Sequence, residues 1–138
     1  MKKLILSFVV AFASFASSAA TYECNAEWAG YLSEIAKNGL QVSDKQYLKQ
    51  LQLMVRITDG LKTKLERCSF VKSANEITCD AYEVDVEHND KNTGMRKLYI
   101  TPRQYDIQLI TLKNDRIIYI ENNGRGGIST GECKKTRP

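Results

Sequence analysis

The sequence predicts a mainly β fold of the α+β kind: a small antiparallel β-barrel or sandwich of about seven strands with one N-terminal helix, braced by disulfides. Three observations predict it. From residue 68 onward, short runs rich in Ile, Val, Tyr and Thr alternate with turn chemistry at near-regular spacing. Near the N-terminus one segment keeps helical spacing. Four cysteines follow an export-type leader, and an even count in an exported chain reads as a disulfide framework. With 138 residues, 43% apolar and 26% charged, the chain has the length and composition of one folded domain.

The first twenty residues read as a secretory signal peptide. Lys2 and Lys3 form a basic start, Leu4 to Ala16 is apolar apart from Ser7 and Ser14, and Ser17-Ser18-Ala19-Ala20 offers small residues for cleavage after Ala20. The apolar stretch is shorter than the roughly 20 residues a bilayer span needs. Cys24 follows Tyr22-Glu23, which is not the small-residue context of a lipidated cysteine. Cleavage leaves residues 21–138 as one disulfide-linked, β-rich domain without a transmembrane segment, periplasmic or secreted. Its 18 basic and 16 acidic side chains nearly balance, which argues against a nucleic-acid partner.

Asn25 to Asn38 carries Trp28, Tyr31, Leu32 and Ile35 on one helical face, with Asn38-Gly39 as a stop. Ser43-Asp44-Lys45-Gln46 has the form of a capping box that opens a second helix. Residues 44–67 then fit two patterns. Positions 47, 48, 51, 54, 55, 58, 61 and 65 have helical spacing, whereas 51, 53, 55, 57 and then 61, 63, 65 alternate about Asp59-Gly60. Asp-Gly between alternating runs favours a hairpin, and a mid-helix glycine costs about 1 kcal/mol. The hairpin is the preferred reading, with the helix left open. The later strands are Glu76–Glu87, Met95–Thr101, Tyr105–Leu112, Arg116–Asn122 and Gly127–Cys133.

The cysteines stand at 24, 68, 79 and 133. None has the close spacing of a zinc or redox motif, and His88 is the only histidine, so neither a metal nor a cofactor is expected. Of three connectivities, Cys68–Cys79 is favoured. A hairpin turning at Ser73-Ala74 puts the two opposite each other, and Cys24–Cys133 follows by subtraction.

Candidate functional residues fall in three places. Glu83, Asp85 and Glu87 alternate, so on one strand all three carboxylates share a face. They form a possible cation site or acid/base set, or else a solvated face offset by Lys91, Arg96 and Lys97 from the next strand. His88 just beyond reads as a surface turn residue with no nucleophile to serve. The most distinctive stretch is Asn122-Asn123-Gly124-Arg125-Gly126-Gly127. Here Arg125, with Asn123, Gly124 and Gly126, forms a candidate recognition loop for a carboxylate, phosphate or acidic partner; the glycines also suit a long hairpin turn by themselves. The tyrosines at 22, 31, 47, 82, 99, 105 and 119, with Trp28, are candidates to line a cavity in a barrel.

Signal peptide, small antiparallel β domain and terminal cysteine linkage together resemble, in layout, exported bacterial lysozyme inhibitors and lipocalin-like binders. The chain lacks the inhibitors' Ser-Gly-x-x-Tyr signature, at both Gly30-Tyr31 and Ser129-Thr130-Gly131. It also lacks the lipocalin Gly-x-Trp, since Ala26-Glu27 precedes Trp28. No coherent catalytic set emerges. The expected function is an exported, non-enzymatic binding protein with an unidentified protein or small-molecule partner. The alternatives are a small hydrolase using Glu83, Asp85 and Glu87, and a carrier of an apolar ligand.

Overall fold

The structure, a computed structural model, describes residues 19–39 and 44–137. Residues 1–18 of the expected leader and Ser43 of the expected capping box lie outside the described residues. Nine antiparallel strands form one sheet in the order β4-β3-β2-β1-β9-β8-β7-β6-β5. The strands are β1 (Thr21–Tyr31), β2 (Met54–Thr58), β3 (Lys64–Val71), β4 (Glu76–Glu83), β5 (Val86–Asp90), β6 (Met95–Ile100), β7 (Tyr105–Thr111), β8 (Ile117–Asn122) and β9 (Gly127–Arg137). Two seven-residue helices, α1 (Leu32–Asn38) and α2 (Lys45–Leu51), join β1 to β2.

The first correction concerns residues 25–31, expected as helix and found as the second half of β1. A bulge removes the strand signal from these residues. Ala26 opposes Gly131, and Trp28 opposes Thr130, so Glu27 is an extra residue. Inward positions therefore step from Ala26 to Ala29, which breaks the two-residue alternation of a strand. Gly131 is required at this crossing, because a Cβ there would lie 2.0 Å from the Asn25 carbonyl oxygen. Only Leu32–Asn38 is helical, and it buries none of its residues.

Both readings of residues 44–67 hold, each for a part. Asp44 caps α2, its carboxylate accepting from the Gln46 and Tyr47 amides. Beyond the left-handed Gln52, β2 and β3 form the hairpin, with Thr58 opposite Lys64. The Asp59-Gly60 pair is not its two-residue turn. Asp59 instead donates its amide to the Ala20 carbonyl and accepts from Arg96 on β6.

The second correction divides the Glu76–Glu87 run into β4 and β5, raising the strand number from about seven to nine, with two helices in place of one. The Val84 amide donates to the Thr63 carbonyl beside β3, and the Asp85 amide donates to the Tyr99 carbonyl on β6. At these two residues the chain passes from one edge of the sheet to the other. The sheet is accordingly curled into a half-barrel. Strands distant in its order touch across the hollow: the Arg96 guanidinium lies over the Tyr22 ring, and the Tyr82 ring stacks against Tyr105. The inner face carries the core, with Val55, Ile57, Leu65, Leu98, Ile107, Leu109 and Tyr119 buried.

Both disulfides link residues directly opposite on neighbouring strands, Cys24–Cys133 between β1 and β9 and Cys68–Cys79 between β3 and β4. β3 and β4 face each other from Lys64↔Glu83 to Val71↔Glu76, with the turn at 72–75.

Charged groups bind the edges together. Arg96 donates to Glu87 and Asp59, Thr63 donates to Glu87, and the Asp85 carboxylate accepts from the Thr101 amide. Burial opposes the Glu87 charge, but the bonds from Arg96, Asn89 and Thr63 outweigh it and lower its pKa. Asp85 is lowered chiefly by Thr101. A carboxylate whose folded pKa is depressed stabilises the protein above its ordinary pKa, and this is lost as pH falls through the folded value. Urea midpoints are thus expected to fall below about pH 4.5, the ordinary glutamate value. Glu87→Gln should be less stable than the parent at neutral pH and lose less on acidification. Parallel pH profiles for the two proteins would refute the assignment.

Candidate functional site

At one end of the hollow the apolar lining gives way to polar side chains. Along β8 the inward positions are Ile117, Tyr119 and Glu121, and along β3 they are Leu65, Arg67 and Ser69; Glu121 meets Arg67 across the hollow. Glu121 is 1% exposed, and its carboxylate accepts from Arg67 Nε and, at 2.9 Å, from the buried Ser129 hydroxyl. Burial works against the Arg67 charge, but Glu121 more than offsets it and raises the guanidinium's pKa. A charge pair this deep is stabilised only with good geometry and added hydrogen bonds, which Ser129 supplies.

Two buried phenols flank this network. Among the described residues the Tyr105 hydroxyl has no hydrogen-bond partner, and the Tyr119 hydroxyl has only the nearby Ser129 hydroxyl, outside strict hydrogen-bond geometry. Burial raises the pKa of both, and both stay protonated donors at neutral pH. For Tyr119 the nearby Ser129 hydroxyl opposes the shift; for Tyr105 the Glu121 carboxylate adds to it. Buried polar groups usually find partners, so such hydroxyls mark a place to look for a ligand.

Two clefts open above the network and share Arg67 and Asn123. One, of about 390 Å³, lies beneath the helices, with Tyr31, Glu34, Tyr47 and Leu51 over Arg67, Glu121 and Ser129. The other, of about 380 Å³, lies between β4 and the β8–β9 turn, walled by Asp80, Tyr82, Arg103, Tyr105 and Arg125. A larger, open, mostly apolar groove of about 840 Å³ runs beside α2, past Leu48, Met54 and Ile77, without a comparable polar network.

The expected recognition loop borders the second cleft. Asn122 Oδ1 accepts from the Gly124 amide, and Asn123 Oδ1 accepts from the amides of Arg125 and Gly127. Asparagines and glycines therefore make a tight, self-bonded turn that leaves Arg125 exposed. Gly124 has φ +74°, and a Cβ on it would come within 2.3 Å of the Arg103 carbonyl oxygen. Only glycine lets this turn lie against the 3₁₀ turn Thr101–Arg103.

The acidic trio is not brought together as expected. Glu83 ends β4 and pairs with Lys62 at 3.1 Å, Asp85 lies in the crossover, and Glu87 belongs to β5 and Arg96. The carboxylates do not form one ladder on one strand, since the chain changes sheet edge between them. Of the three expected partner cations, Arg96 engages Glu87. Among the described residues no group of three His, Cys, Asp or Glu side chains could hold a metal. His88 lies on β5 rather than in a turn, edge-on to Tyr99. Of the tyrosines, Tyr105 and Tyr119 are in the core, while Tyr31 and Tyr47 are about half exposed at the first cleft.

Sequence reading missed Arg67, Glu121 and Ser129. The available signal was phase: Glu121 falls on the inward register of Ile117 and Tyr119, and Arg67 on that of Leu65. Comparison of the chain with protein-family models, curated protein sequences and solved structures finds no match. Among the described residues no helix is long and apolar enough to cross a membrane.

Proposed function

We propose that this chain is an exported, non-enzymatic binding protein that holds a small polar molecule at the polar end of its curled sheet. The observation carrying this reading is the buried Arg67–Glu121–Ser129 network, with the Tyr105 hydroxyl unpartnered among the described residues, beneath paired clefts. Concave sites with a few convergent polar groups are the usual seats of small ligands. Export is supported by the leader-like first twenty residues and by two disulfides, which persist in oxidising compartments such as the periplasm or exterior. The curled sheet supports reading the scaffold as a small barrel opened at one end.

A binding role is favoured over hydrolysis by the chemistry of the site. Ser129 donates to a carboxylate already paired with Arg67, and the chain's one histidine, His88, lies on β5 against Tyr99, so no imidazole stands beside this hydroxyl to activate it. An apolar carrier is disfavoured because the inner face is filled by side chains of the core, with the clefts at the polar end.

Protein isolated from its native compartment without reductant is expected to carry a small molecule in native mass spectrometry and to release it on unfolding. Adding that molecule back should shift the amide resonances of Asn123, Gly127 and Ser129. Protein that neither retains nor rebinds a small molecule from its native extract would defeat the reading. So would turnover of a substrate that Ser129→Ala abolishes.

A further inference from the structure

We propose that the second cleft is an oxyanion seat, in which the guanidinium groups of Arg103 and Arg125 clasp a carboxylate or phosphate group of a small molecule above the Tyr105 hydroxyl. The proposal rests on the binding role proposed above and assigns a ligand class to one of its two clefts.

Four observations converge on it. First, the exposed Arg103 and Arg125 pair with no carboxylate among the described residues, whereas four other arginines do. Arg56, Arg67, Arg96 and Arg116 each hold an acid. Second, Arg103 is fixed in direction, its guanidinium lying 5.6 Å from the Tyr82 ring centroid. Third, close contact at Gly124 holds the Arg125 turn against the segment that carries Arg103, so the two cations border one cleft. Fourth, Tyr105 forms part of the cleft wall and is 5% exposed, and its hydroxyl, buried beneath that wall, has no acceptor among the described residues.

Every free polar group gathered here, apart from Asp80 and amides of the Gln104 and Asn123 type, is a donor. Two planar donor forks and a phenol O–H match the acceptor-only oxygens of a carboxylate or phosphate. The first cleft has the opposite balance, with Glu34 and Glu121 against Arg67 alone. Asp80 is the one acid on the wall of the second cleft, and its charge opposes the anion. Removing that charge is therefore expected to strengthen binding.

The test titrates the disulfide-intact protein separately with citrate and with inorganic phosphate, by calorimetry and by amide chemical shifts. The expected result is saturable binding of at least one probe, with shifts centred on residues 103–105 and 123–126. Tighter citrate binding assigns a carboxylate ligand, and tighter phosphate binding a phosphoryl one. Arg103→Gln and Arg125→Gln should each weaken binding about tenfold, as expected for loss of a charge-assisted hydrogen-bond pair. Asp80→Asn should tighten it, and Lys135→Gln on β9 should leave it unchanged. Tyr105→Phe removes a hydroxyl that has no partner, so it should fold at least as stably as the parent while binding more weakly. Absence of saturation with both probes, or equal affinity in the Arg103→Gln/Arg125→Gln double variant, overturns the oxyanion seat. If a native ligand is nonetheless retained, the binding role stands and only this assignment falls.

Discussion

Replacing Cys24 and Cys133 together by alanine is expected to destabilise the protein by about 5 kcal/mol. The two residues are separated by 109 positions. In the chain-entropy model a crosslink closing so long a loop stabilises by about 4.7 kcal/mol, against about 3 kcal/mol for a loop near the length of that between Cys68 and Cys79. Cys24 and Cys133 are also buried within the core, so the variant loses packed sulfur as well. Urea denaturation under non-reducing conditions measures both pairs. A smaller loss for Cys24/Cys133 than for Cys68/Cys79 would show that strain or residual structure in the unfolded chain outweighs loop length.

Arg67→Met is expected to cost about 3 kcal/mol, because it leaves the Glu121 carboxylate buried without its counter-charge. The value stands at the low end for buried pairs, since Arg67 retains 27% side-chain exposure and water screens part of the interaction. Adding Glu121→Leu should restore most of that loss, because an apolar pair of similar size escapes the desolvation penalty. A full double-mutant cycle in urea measures the coupling. If the double variant is as unstable as Arg67→Met alone, the two side chains are not an energetic unit. Recovery together with loss of ligand retention would separate the pair's role in folding from its role in binding.

The β-rich part of the fold was legible because its strands are short, rich in branched and aromatic residues, and separated by good turn chemistry. The Cys68–Cys79 pairing followed from one hairpin, and the Cys24–Cys133 pairing from what remained. β1 was hidden by its bulge, since the step from Ala26 to Ala29 breaks the alternation by which a strand is read, while Trp28, Tyr31, Leu32 and Ile35 run on into the true helix α1. The division between β4 and β5 was hidden because Val84 and Asp85 continue the alternation while the chain changes neighbours. For the candidate site, sequence reading located Arg125 and its asparagine-glycine turn through composition. It missed Arg67 and Glu121 because a charged side chain in an alternating strand is ordinarily assigned to solvent. Only the curling of the sheet, which brings Tyr82 against Tyr105 and Arg96 over Tyr22, places those positions in an enclosed end.

The pairing of the first strand with the last has a topological result. With the Cys24–Cys133 bond closed, residues 24 to 133 form a covalent ring. A single protease cut at the exposed turn 91–94 leaves the fragments in one molecule of unchanged size until a reductant opens the ring. Scission of the backbone and dispersal of its pieces are thereby made separate events.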